Sequence, residues 1–335
     1  MPPFAIIGMI ALLISPQSDE IPSLLQEGII LTFVHRFDEA QERFKRVQEL
    51  EEESPAGYFY EAALLQSKMM DWETDQFEGR FLSLIDKAIR LARKRIRRDQ
   101  EDPWAHFYLG SALSYKGFYL ARKGRWLASL YNAIQGVKEL EQAVKIDSTL
   151  YDAYLGIGTY KYWRSRLTAI FHWLPFFPDE REKGIQMVKL ALQRGQYSRH
   201  VALSNLTWIL MDAGRVRESI RLSQQGLELF PGSRFFLWSL AGGYFVNKDY
   251  PKAIEAYQRI LSSLEEESHN NHYNELICRL KIAQSYFRLR DYEKSLGECE
   301  RILSLDLEGE IKKKAKKKIK EVKRLRSLCL KKLNP

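Results

Sequence analysis

From residue 22 onward apolar residues recur every three to four positions, and no stretch keeps the strict alternation of a half-buried strand, so the pattern predicts helices throughout. The predicted helices come in pairs. Gly28 and Leu31 on one helix are followed, after the turn His35-Arg36-Phe37-Asp38, by Ala40, Phe44 and Val47 on the next. Three later segments copy this spacing: Thr207 and Leu210 with Ser219, Ser223, Gly226 and Pro231; Ala241 and Tyr244 with Ala253, Tyr257 and Ile260; Ala283 and Tyr286 with Ser295, Cys299 and Ile302. In all four, the tight position on the first helix precedes that on the second by twelve residues, and Ser219 to Ala253 is a step of 34. Small side chains there let antiparallel helices approach closely, and the large residue one turn later fills the gap to the next pair.

These residues resemble the tetratricopeptide repeat (TPR), whose 34-residue unit pairs two helices in this way. Residues 237–261 are the best copy and 203–231 the next, with Ser223 where the family places an aromatic; the last copy departs at Arg279 and Cys299. The resemblance covers residues 22–306 and implies an all-α, right-handed α-solenoid of about seven helix pairs, at 22–55, 56–102, 103–148, 149–195, 196–231, 232–268 and 273–306. A TPR solenoid binds a protein or peptide in its concave groove. By register with the two best copies, the groove would be lined by Trp208, Met211, Phe235, Trp238 and Phe245, joined by Gln284 and Arg288 in the last repeat. Aromatic pockets with a nearby Arg suit an extended peptide or a partner helix. The competing reading makes several of these rings ordinary packing between repeats.

Three middle pairs depart from the family in a regular way. Ala62 to Ala88 and Gly110 to Gly136 are 26 residues apart, Gly156 to Gly184 is 28, and Ala88, Gly136 and Gly184 follow one another at steps of 48. Fourteen to sixteen extra residues therefore separate the tight positions of each pair, and stacking in register brings the three additions to one edge. They are rich in rings: Trp72, Phe77 and Phe81; Phe118, Tyr119, Trp126 and Tyr131; and, within 165–180, Phe171, Trp173, Phe176 and Phe177. Either these bury against one another as added core, or Trp126, Phe171, Trp173, Phe176 and Phe177 mark an exposed apolar edge. The third addition, with basic residues at its start, has a composition that suits a membrane interface.

Charge changes the picture only at the C-terminus. The chain carries a formal +9, yet residues 309–335 hold twelve Lys/Arg against Glu310 and Glu321, so the body is close to neutral. Ile311, Ala315, Ile319, Val322, Leu325, Cys329 and Leu333 form one narrow stripe on this basic segment, which predicts an amphipathic helix over 308–333. Capping the last repeat is its first reading, and adhesion to anionic lipid the alternative. Nucleic acid is disfavoured, since the tail has no aromatic residue to stack on bases, and an RNA-associated scaffold ranks last. The run from Lys87 to Arg98 reads as a solvated helix face.

At the N-terminus, residues 4–15 are uncharged and end at Pro16. This is short for a membrane span and within the range of a secretory apolar region, although no Lys or Arg precedes it. Residues 1–18 are expected to be a signal peptide or apolar anchor, placing the protein in an exported, periplasmic or membrane-anchored setting. An apolar first helix in a cytoplasmic protein is the alternative.

Little points to catalysis. Cys278, Cys299 and Cys329 form no CxxC, His269 and His272 sit in a polar linker without a third ligand, and no phosphate-binding or nucleophile-elbow motif occurs. The Asn205 sequon falls inside a predicted helix and reads as fortuitous. The expectation is a non-enzymatic scaffold without cofactor, metal or small-molecule substrate. An assembly or adaptor protein at a membrane surface, using the N-terminus, the 165–180 loop and the basic tail, is the second reading.

Overall fold

The computed structural model describes residues 17–171, 178–265, 267 and 269–334. Among them are fifteen α-helices and a single 3-10 turn, Ala169–Phe171. In chain order the helices are α1 (Gln17–Phe33), α2 (Phe37–Leu50), α3 (Ala56–Asp71), α4 (Glu78–Arg98), α5 (Pro103–Arg122), α6 (Trp126–Ile146), α7 (Asp152–Leu167), α8 (Arg181–Arg194), α9 (Arg199–Asp212), α10 (Val216–Leu229), α11 (Arg234–Val246), α12 (Tyr250–Glu265), α13 (Tyr273–Arg288), α14 (Tyr292–Leu303) and α15 (Gly309–Leu333). Each packs on its chain neighbours, and odd-numbered helices also touch the next odd-numbered helix over much of the rod, so the chain is an α-solenoid.

The small residues sit where paired helices touch. Ser219 Oγ donates to Thr207 O at 2.7 Å and Ser295 Oγ to Ala283 O at 2.9 Å, turning two of the twelve-residue steps into direct hydrogen bonds between partner helices. Ala241 and Ala253 are both fully buried. Gly28 lies against the Phe44 ring, leaving no room for a Cβ. In the long α5/α6 pair, a Cβ on Gly110 would stand 2.7 Å from Gly136 O.

One register differs from the expectation. Gly184 meets Gly158, each lacking room for a Cβ beside the other's carbonyl, whereas Gly156 faces the preceding helix and is filled over by Leu140. The third long pair thus has the same 26-residue step as the other two. In the first two long pairs the added residues are spent chiefly on helix, α4, α5 and α6 containing 21, 20 and 21 residues against 14 each in α9 and α10, whereas in the third, with 16 and 14 in α7 and α8, most lie between the helices. At 1.5 Å per residue, the α5/α6 pair extends about 10 Å beyond a standard one.

The rod coils back on itself. Phe33 at the end of α1 stacks on Phe230 and Phe236 at ring separations of 5.1 and 5.7 Å, and Tyr60 of α3 meets Tyr197 at 6.0 Å. Beside them Arg234 lies buried and grips Asp71 through Nη2, with Nε donating to Oδ1 at 2.9 Å. Arg234 N donates to His35 Nε2 at 2.9 Å, so the His35 proton sits on Nδ1, 3.3 Å from Asp71 Oδ2. Asn274 and Asn271 extend the seam by donating to the carbonyls of Asp71 and Trp72, and Lys314 of α15 pairs with Glu73. The end of the chain is closed by α15, which buries Ala315, Val322, Leu325 and Cys329 against α13 and α14.

Candidate interaction surfaces

The inner face of the coil is built from the odd-numbered helices. Where α7 and α9 run side by side, Trp163, Trp208, Met211 and Asp212 line an open, almost wholly apolar pocket of about 430 Å³. Both indoles are exposed over more than a third of their surface, and the Met211 thioether rests beside Gly242 of α11. The floor is fixed rather than soft. Asp212 accepts from the Tyr162 hydroxyl at 2.6 Å and from Arg166 Nε at 3.0 Å. Tyr162 is completely buried, and burial together with its bond to Asp212 pushes its pKa up, keeping the phenol a neutral donor. Two half-exposed indoles over a rigid polar floor can bind an apolar side chain without reorganising.

The other expected groove residues disperse. Phe235 is half-buried, stacked on His35 at 5.2 Å and against Phe33 at 5.3 Å, and so belongs to the seam of the coil. Trp238 meets Tyr257 edge-on. Phe245 packs against Tyr250 and receives the Lys281 ammonium 4.3 Å from its ring centre; burial, followed by the nearby Lys318 charge, pulls Lys281 below its ordinary pKa. Gln284 donates to Glu321 of α15 at 2.6 Å, so its amide is engaged by the capping helix. Arg288 is exposed at the end of α13.

Residues 206–268 match the model of the tetratricopeptide repeat family. Those residues are tetratricopeptide repeats, and the chain as a whole has a TPR-like solenoid fold. One chain of the crystal structure of the APC/C hetero-tetramer Cut9–Hcn1 aligns with 84% of it at 16% identity and a TM-score of 0.54, and this chain spans only 45% of that one. A thermophilic TPR protein of Thermus thermophilus aligns over 67% of this chain and 98% of its own, at 17% identity and a TM-score of 0.42. No curated protein sequence matches the chain. The first likeness concerns the fold alone.

Trp163 was not among the expected groove residues. Counting from Gly156 instead of Gly158 turns α7 by about 200°, which takes Trp163 off the inner face. Counted from Gly158, it falls at the position that Asp212 holds in α9.

The added edge divides. In the first addition Phe81 is fully buried, while Trp72 and Phe77 pack on the core; in the second, Tyr119 is buried against Phe81 at 5.1 Å. Trp126 is 69% and Leu127 87% exposed, and Leu130, Tyr131 and Phe118 are also open. Leu167, at the end of α7, and Ile170, in the 3-10 turn that follows, are 81% and 75% exposed. Trp173, Phe176 and Phe177, and the side chain of Phe171, lie outside the described residues.

The cysteines and the linker histidines are engaged in packing. Cys278, Cys299 and Cys329 are buried free thiols; burial pushes Cys278 well up and Cys299 to about 12, so neither is a ready nucleophile. His269 stacks on Trp72 at 4.3 Å, and His272 Nδ1 is paired with Glu275 at 2.8 Å. Among the described residues no group of three or more His, Cys, Asp or Glu is placed to hold a metal. Asn205 accepts from Thr159 at 3.2 Å within the α7/α9 contact, a poor setting for glycosylation.

Proposed function

We propose that this TPR protein is a non-catalytic scaffold that holds a protein or peptide segment along its inner face, anchored by an apolar side chain set between Trp163 and Trp208. The supporting observation is the pocket itself, in which two exposed indoles and Met211 converge from neighbouring inner helices over a hydrogen-bonded floor. Aromatic anchors in preorganised pockets carry a large share of binding energy at protein interfaces. Trp238 and Phe245, on the next inner helix, would extend the contact surface.

Selection of a displayed peptide library on the full chain tests the proposal. Enriched peptides are expected to share one large apolar residue, and Trp163→Ala with Trp208→Ala to weaken their binding by about 30-fold or more, as loss of an anchor worth ~2 kcal/mol implies. Unchanged affinity in that folded double variant would overturn the assignment.

A further inference from the structure

We infer that the tip of the α5/α6 hairpin, with the end of α7, is a docking face for an anionic lipid bilayer. This site is separate from the groove and does not depend on it. Trp126, Leu127, Leu130 and Tyr131 occupy the first two turns of α6 and are all open to solvent. Leu140 fills the space over Gly156 where α6 meets α7; counting up α7 and down the antiparallel α6 brings Leu167, the last residue of α7, about level with Leu130, and Ile170 follows in the 3-10 turn just beyond. The result is a projecting tip of large apolar side chains, since the second long pair outreaches standard ones and α7 ends beside it.

Its shape and charge select the occupant. A projecting convex tip offers a peptide no groove, whereas it can enter the boundary of a bilayer, where Trp and Tyr are favoured. From 103 to 138 the hairpin has no Asp or Glu but carries Lys116, Arg122, Lys123, Arg125 and Lys138. From 153 to 178 there is again no acid; Lys161 and Arg164 pair with Glu180 and Arg166 with Asp212, carboxylates that lie outside this stretch. The carboxylates that pair with Lys116, Arg122 and Lys123 come from α4 and the α3–α4 connection, and Arg125, next to Trp126, has no carboxylate partner among the described residues. Apolar side chains at the point, with Arg125 uncompensated beside Trp126 and no acid on the hairpin itself, match an anionic headgroup layer. No helix among the described residues is long and apolar enough to cross a membrane, so the contact is one of surface insertion.

The full chain should float with phosphatidylcholine vesicles containing phosphatidylglycerol and much less with phosphatidylcholine alone. Leu127→Glu with Tyr131→Glu, both at exposed positions and checked for native helicity, should reduce the bound fraction at least ~10-fold. Reversing Lys316 and Lys317 on α15 to Glu should leave it within about twofold, since the tip and not the tail makes the contact. An environment-sensitive fluorophore on Leu127→Cys should brighten and shift to the blue on vesicle addition. Failure of the full chain to float, or flotation of the Leu127→Glu/Tyr131→Glu variant at the level of the unaltered chain, overturns the proposal. Either result leaves the peptide selection at Trp163 and Trp208 untouched.

Discussion

At the scale of single residues, the fold depends on positions where one more carbon would not fit. Gly110→Ala would drive a Cβ to 2.7 Å from Gly136 O, and overpacking of this kind is expected to lower stability by about 1–3 kcal/mol. Gly297, exposed in the middle of α14, meets nothing within 4 Å, so Gly297→Ala should instead raise stability by about 0.5–1 kcal/mol. Thermal unfolding followed by circular dichroism checks both signs. The Thr207–Ser219 and Ala283–Ser295 partners were legible because small residues in those pairs recur at a single spacing. Gly156 and Gly158 were not separable, since both are glycine and only the position of Leu140 shows which one faces the preceding helix.

At the scale of elements, the repeat spacing located the three additions but did not tell which of their rings are buried. Tyr119 and Phe81 are covered because α4 and α5 are both long; Trp126 and Leu127 are bare because α7 stops short beside them. Burial here is decided by the neighbour's length, which a single segment does not encode. The capping helix was readable from its own stripe, and its energetics follow that stripe. Val322 is completely buried against the last pair, so Val322→Asp should cost about 3 kcal/mol or more, whereas charge reversal at the exposed Lys316 should change stability by less than about 0.5 kcal/mol. Urea titrations of the two variants separate packing from charge as the source of the cap's contribution. The inner face shows the same division: register alone put Trp208 and Met211 on one face, where both line the α7/α9 pocket, while the involvement of Gln284 with Glu321 required knowing where α15 lies.

At the scale of the whole molecule, the coil is held shut by the cluster of Arg234, Asp71 and His35, which nothing in the repeat pattern announces because its members lie far apart in sequence. Burial alone would raise the Asp71 pKa, but the hydrogen bonds from Arg234 and His35 outweigh it and hold the group at about 2, below its ordinary 3.8. With the folded value depressed, this stabilisation is fully present above pH 3.8 and is lost as pH falls through about 2. Arg234→Ala leaves the Asp71 carboxylate buried without its main partner, and a loss of about 3–5 kcal/mol is expected. Small-angle scattering should report a larger radius of gyration for that variant at neutral pH, with the helix content retained. An unchanged radius would mean that the remaining seam contacts, the aromatic stack of Phe33 on Phe230 and Phe236 and the bonds of Asn271, Asn274 and Lys314, keep the coil closed without Arg234.

That closure also bears on kinetics. Outside the seam the helices pack mainly on close neighbours along the chain, which favours rapid zipping, but the seam joins residues far apart in sequence, Asp71 and Arg234 being separated by 163 residues. Bringing them together carries a loop-closure entropy that no local pair bears. Refolding should therefore show a fast phase in far-ultraviolet ellipticity and a later one in tryptophan emission, and Arg234→Ala should remove the later phase while sparing the first.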